Sequence, residues 1–251
     1  MIRADNIVKK FGDFTALKGV SFEINGGEIC GYIGVNGAGK STTIKILAGI
    51  LAFDSGQAFI KNIDVQTNQT ELKKIIGYVP ESQNLFNSLK VKEHFEFVKN
   101  IYELESVVYK KRLDYFTDVF EFGNYFNDSI GVLSKGNKQK VLITSALLHN
   151  PDVIFLDEPL NGLDANSIFV LIEILKSLSD KGKAIFFCSH LLHMIEKIAT
   201  RIIIIDNGTI NINENADVLK QSQEFVSLEQ LFRDIKNEDK PFVFPYEEIF
   251  S

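Results

Sequence analysis

The chain of 251 residues is 45% hydrophobic and 24% charged, the composition of a folded globular protein rather than a disordered one. Its net charge of -6 argues against a nucleic acid as the main partner, because phosphate backbones are held by basic faces. No apolar run approaches the roughly 18 residues that cross a bilayer, and the opening stretch has no secretory h-region, so a soluble cytoplasmic protein is expected.

In chain order, short β-branched runs alternate with helical periodicity, which is the pattern of an α/β sheet. Strands are predicted at Ile2–Lys9, Val20–Ile24, Ile29–Ile33, Ala58–Ile60, Ile76–Val79, Val153–Leu156, Ala184–Cys188, Ile202–Ile205 and Thr209–Ile212. Helices are predicted at Lys40–Ala48, Val91–Tyr102, Val107–Phe120, Lys138–His149, Ala165–Leu178 and Leu191–Ala199, with two short ones at Asn215–Gln221 and Leu228–Ile235. Cys30 and Cys188 fall in strand-like runs and are expected to be buried, reduced packing residues. The block from Leu85 to Asp128 is helical and dense in aromatics, enough for a local core. A surplus of rings is expected to form a groove for a partner helix, with at least two of Phe86, Phe95 and Tyr102 partly exposed.

Two motifs carry chemistry. Gly34-Val35-Asn36-Gly37-Ala38-Gly39-Lys40-Ser41 fits G-x-x-x-x-G-K-[ST], between a predicted strand and a helix that begins Lys40-Ser41-Thr42. Glycines let backbone N–H groups wrap phosphates, and the helix N-terminus adds positive potential. Lys40 would reach the β- and γ-phosphates, and the Ser41 hydroxyl would ligate Mg²⁺. The second motif is Val153-Ile154-Phe155-Leu156-Asp157-Glu158-Pro159, a strand that delivers two carboxylates at its C-terminal end, where ligands of such sheets bind. Asp157 is placed to hold Mg²⁺ through water, and Glu158 to act as general base on an attacking water.

Further along the chain, Leu133-Ser134-Lys135-Gly136-Asn137-Lys138-Gln139 resembles the LSGGQ signature of ATP-binding cassette (ABC) proteins. Asn161-Gly162-Leu163-Asp164 is similar to the D-loop, His190 to the switch histidine, and Phe11 to the aromatic that stacks on adenine. The resemblance runs from about residue 1 to 235. It implies a P-loop NTPase (RecA-like) α/β core with an N-terminal antiparallel β subdomain, a helical subdomain inserted at about 85–135, and a tail at 236–251. It also implies ATP sandwiched between Lys40 of one chain and Ser134, Gly136 and Asn137 of another, in a homo- or heterodimer that drives a polytopic permease in a separate chain. The subunit would then lie peripherally on the inner face of the cell membrane.

Lys135 and Asn137 depart from the signature, Asn161-Gly162 from the commoner Ser-Ala, and Glu81 from the usual Q-loop glutamine. Glu81 is expected to ligate the metal or its water, with Gln83 the alternative. The Ser-Lys-Gly and Pro-Glu forms resemble the branch that serves multidrug, antibiotic, polysaccharide or lipid exporters. A soluble cassette serving a cytosolic complex, as in iron–sulfur assembly, would keep the same ATP motifs.

Overall fold

The computed structural model of the chain describes residues 1–222 and 225–235; the expected tail lies outside the described residues. β1 (Ile2–Phe11) and β2 (Phe14–Ile24) form a hairpin whose turn places Gly12 at φ +58. β3 (Ile29–Ile33) runs through residues 34–39 into α1 (Lys40–Leu47). β4 (Ser55–Ile60), β5 (Ile63–Asp64), α2 (Gln69–Ile75) and β6 (Ile76–Val79) follow. Between Val79 and the next strand the chain is helical, with α3 (Val91–Ile101), α4 (Ser106–Phe120), two short 3-10 turns and α5 (Lys135–Leu147). The remainder is β7 (Val153–Asp157), α6 (Ala165–Asp180), β8 (Ala184–Cys188), α7 (Leu192–Ile198), β9 (Arg201–Asp206), β10 (Thr209–Asn215), α8 (Ala216–Gln221) and α9 (Leu228–Ile235).

Two sheets result. One is antiparallel with order β2-β1-β4-β5; the other has order β10-β9-β3-β8-β7-β6, parallel except for the β9–β10 pair. Strands of a sheet covered on both faces must be apolar at every position, and β3, β7 and β8 are buried throughout. Successive residues feed opposite layers. Ile154, Leu156, Ile185 and Phe187 face a core shared with the helices, while Phe155, Phe186, Tyr32 and Ile203 face a second core toward the antiparallel sheet. There Tyr32 and Phe186 approach to 4.7 Å between ring centroids, and Phe22 from β2 lies 5.9 Å from each. Cys30 and Cys188 are buried, unpaired members of this layer.

The structure adds β5 and α2 to the expected elements, and it starts α5 at Lys135 rather than 138. The earlier start follows from Ser134, whose hydroxyl accepts the Asn137 amide at 3.2 Å and caps the helix. Among the helical rings Phe86 is 59% exposed and Tyr102 is partly exposed, but Phe95 is fully buried. Phe95 is therefore core rather than a docking ring, packed 5.8 Å from Phe122 and 6.1 Å from Phe126. Among the described residues no helix is long and apolar enough to cross a membrane.

Candidate active site

The loop 34–39 is shaped by close approaches that only glycine permits. A Cβ on Gly34 would sit 2.5 Å from the Ile205 carbonyl, and Gly39, which precedes α1, holds φ +111 with Ala16 and Leu17 against it. No side chain caps α1, so its first-turn amides are left to whatever lies in front of them. Lys40 is 8% exposed, and its ammonium donates to the Gly34 carbonyl at 2.6 Å and the Val35 carbonyl at 3.1 Å.

The acidic pair emerges two strands away. Asp157 ends β7 and is 2% exposed; burial pushes its carboxyl up, against a hydrogen bond from Ser41 that pulls it down, and the charge of Glu81 raises it further. Glu158 adopts φ +51, and its amide donates to the Cys188 carbonyl at 3.0 Å, which ties it to β8. Its Oε2 accepts the His190 backbone amide at 3.1 Å. Its Oε1 stands 3.2 Å from His190 Nε2, at ion-pair distance but without hydrogen-bond alignment. Burial raises the Glu158 carboxyl, opposed by the His190 contacts.

These groups share one cleft of about 410 Å³, lined by Phe11, Phe14, Val35, Asn36, Gly37, Gly39, Lys40, Ser41, Thr42, Glu81, Asp157, Glu158 and His190. Gly34 and Ala38 lie buried beneath the loop. Phe11 and Phe14 face each other across the hairpin end, 49% and 61% exposed, with the Lys9 ammonium 5.2 Å over the Phe11 ring. Phe14, the alternative to Phe11 as the stacking ring, lines the cleft as well, and Ala16 adds to its wall beyond the residues expected there. Glu81 faces the cleft, whereas Gln83 turns away and donates to the Lys135 carbonyl and Gln139 Oε1. Among the described residues no three His, Cys, Asp or Glu side chains form a metal site by themselves. A Mg²⁺ bound chiefly by phosphate and water needs only one or two hard protein oxygens, and the side chains of Ser41, Asp157 and Glu81, which carry such oxygens, all line the cleft.

Ser134, Gly136 and Asn137 are not in this cleft. They form the N-terminal turn of α5, packed so closely on the loop after β7 that a Cβ on Gly136 would meet the Gly162 carbonyl at 2.6 Å. Asp164 completes that loop. Its carboxylate caps α6 through the Ser167 amide at 2.8 Å and pairs with Lys140 at 3.1 Å, and these contacts hold its pKa down at about 2.

The family model described as "ABC transporter" matches residues 17–161. An uncharacterised ABC transporter ATP-binding protein of Methanocaldococcus jannaschii is 37% identical over 207 residues, which are 82% of this chain and 74% of that one. The linearmycin resistance ATP-binding protein of Bacillus subtilis is 34% identical over 83% of this chain and 67% of its own. Among solved structures, an ATP-binding subunit of an ABC transporter superposes with a TM-score of 0.90 at 28% identity, covering 94% of this chain and 99% of that one. A dimeric ATP-binding cassette in a post-hydrolysis state with ADP and Pi superposes at 0.78 and 29% identity, covering 86% of this chain and 99% of that one. With the P-loop, the buried acidic strand end and the fold all in agreement, this chain belongs to the ABC transporter family as an ATP-binding subunit and ATPase.

Proposed function

We propose that two cassettes close on two ATP molecules and that the cycle drives an exporting permease in a separate chain. The observation that carries this reading is the division of the site: the P-loop, Asp157, Glu158 and His190 share one cleft, while the capped Ser134 turn lies outside it. A second chain is the natural source of that turn. In this arrangement the first-turn amides of α1 and Lys40 bind the phosphates, and Phe11 stacks on the base. Ser41, Asp157 and Glu81 would hold Mg²⁺, which neutralises phosphate charge when bound. Glu158, whose carboxyl is raised by burial, takes the proton of the attacking water, and the His190 backbone amide orients the carboxylate.

The permease helix would enter a groove lined by Ile50, Leu85, His94, Val98, Tyr102 and Leu142, with exposed Phe86 next to Leu85 in sequence. The subunit would then sit on the inner membrane face. Export is favoured by the linearmycin resistance relative and by the multidrug designation of another, from Escherichia coli. The test is Glu158→Gln, which keeps the shape of the side chain and removes the base. It should bind ATP, lose at least about a hundredfold in turnover and elute as an ATP-dependent dimer. Wild-type turnover in this variant refutes the assignment of Glu158. A monomer that retains ATP refutes the shared site.

A further inference from the structure

Gln83 occupies the loop after β6, two residues beyond Glu81 and just before Asn84 and Leu85, which line the groove beside the helical region. Its Nε2 donates twice, to the Lys135 carbonyl at 3.0 Å and to Gln139 Oε1 at 2.7 Å. Gln139 is 1% exposed, and its own Nε2 donates to the Pro159 carbonyl at 3.0 Å. The backbone carbonyls at both ends can only accept, so they fix the orientation of both amides and give the chain of bonds one direction.

The far end of this chain is the residue after Glu158. A non-glycine residue at φ +51 persists only where its surroundings over-determine it, and three bonds do so here. The Glu158 amide donates to Cys188, the Asn161 amide donates to the Glu158 carbonyl at 3.2 Å, and Gln139 holds the Pro159 carbonyl. The near end also grips the Ser134 turn, because Lys135 is its first helical residue and Gly136 rests on the Gly162 carbonyl.

We infer that Gln83 and Gln139 are positioning residues that link the groove-side loop both to the backbone holding Glu158 and to the Ser134 turn. Displacing the loop shifts the backbone that holds Glu158 and the Ser134 turn together. The catalytic half of this inference rests on the role proposed above for Glu158; the mechanical half does not.

Gln83→Glu keeps the size of the side chain but has no N–H to donate, so both contacts become oxygen against oxygen. Gln83→Ala deletes them. In the purified chain both variants should lower kcat for ATP about tenfold, or about 1.4 kcal/mol, with KM within about twofold and a melting temperature within about 2 °C of wild type. Hydrogen exchange should quicken in peptides spanning 134–140 and 159–163 in both. Adding Gln83→Ala to Gln139→Ala should cost no further turnover, since the link is already cut.

Wild-type kcat with unchanged exchange in Gln83→Glu overturns the inference. So do losses that multiply in the double variant, a KM effect at constant kcat, or a large drop in melting temperature accompanying the loss. If Glu158→Gln retains wild-type turnover, the role of Glu158 falls, and the exchange measurement by itself decides whether the link exists.

Discussion

Acidification should destabilise this protein through His149, and the size of the effect follows from the surroundings of its ring. His149 Nε2 lies 2.9 Å from the Ile76 carbonyl, which can only accept, so the neutral ring carries its proton there. The ring stacks on Tyr102 with centroids 3.8 Å apart and planes 9° apart, and its Nδ1 is buried without a partner. A second proton on Nδ1 would find no acceptor. Burial, with the charges of Arg112 and Lys183 acting in the same direction, holds the pKa down at about 4 against an ordinary 6.5. The folded-state value lies below the unfolded one, so the unfolded chain takes the proton first. The contribution is therefore complete above pH 6.5 and is lost as pH falls toward 4. At about 1.4 kcal/mol per pH unit the full window is worth about 3 kcal/mol, of which about 1.4 kcal/mol is gone by pH 5.5. The assay is urea denaturation of wild type and His149→Phe from pH 7.5 to 4.5. The phenyl ring keeps the stack on Tyr102, loses the bond to Ile76 and does not titrate, so it should be less stable by about 1–3 kcal/mol at pH 7.5. That deficit should shrink or reverse below pH 5.5. A deficit that stays constant across the range refutes the argument.

Phe11 is half exposed at the hairpin end, so Phe11→Ala should weaken ATP binding while shifting the melting temperature by no more than about 2 °C. Phe11→Tyr should be nearly silent; a large loss of stability without nucleotide would place the ring in the core instead. Glu81→Gln should keep Mg²⁺-dependent ATPase activity within about fivefold, because it retains an oxygen donor, whereas Glu81→Ala should require more Mg²⁺ for half-maximal rate. An unaffected Glu81→Ala would remove Glu81 from the metal site.

Two of the three strands whose every residue is buried were legible to the residue, while β7 runs one residue further than expected, into Asp157. Ile29–Ile33 and Ala184–Cys188 are five-residue apolar runs, and burial on both faces leaves them no polar position to blur an end. The P-loop was legible because its requirements are local: glycines where backbones touch, followed by Lys-Ser on the next helix. α2 was missed because only Leu72 of its seven residues is buried, so it carries no apolar period. The ring content of the helical region was readable, but which ring points inward was not. Phe95 is buried by contacts with Phe122 and Phe126, some thirty residues away in sequence. The bond between Gln83 and Gln139 left no local signal, since it spans 56 positions, although each residue lies in or beside a recognisable motif.

The order of the parallel strands has a consequence for how this site can vary. β3, β8, β7 and β6 are immediate neighbours, and the turns that leave them carry Lys40, His190, Glu158 and Glu81 respectively. Sequence order is scrambled, yet the ends of the four strands form a row with the pitch of a sheet, about 4.8 Å per step and about 14 Å across the four. That pitch is set by backbone hydrogen bonds common to every residue type, so no side-chain replacement can stretch or compress it. Each turn is therefore free to change its own chemistry, with Glu81 on the turn at one end of the row, while the strand ends that carry the turns keep their spacing.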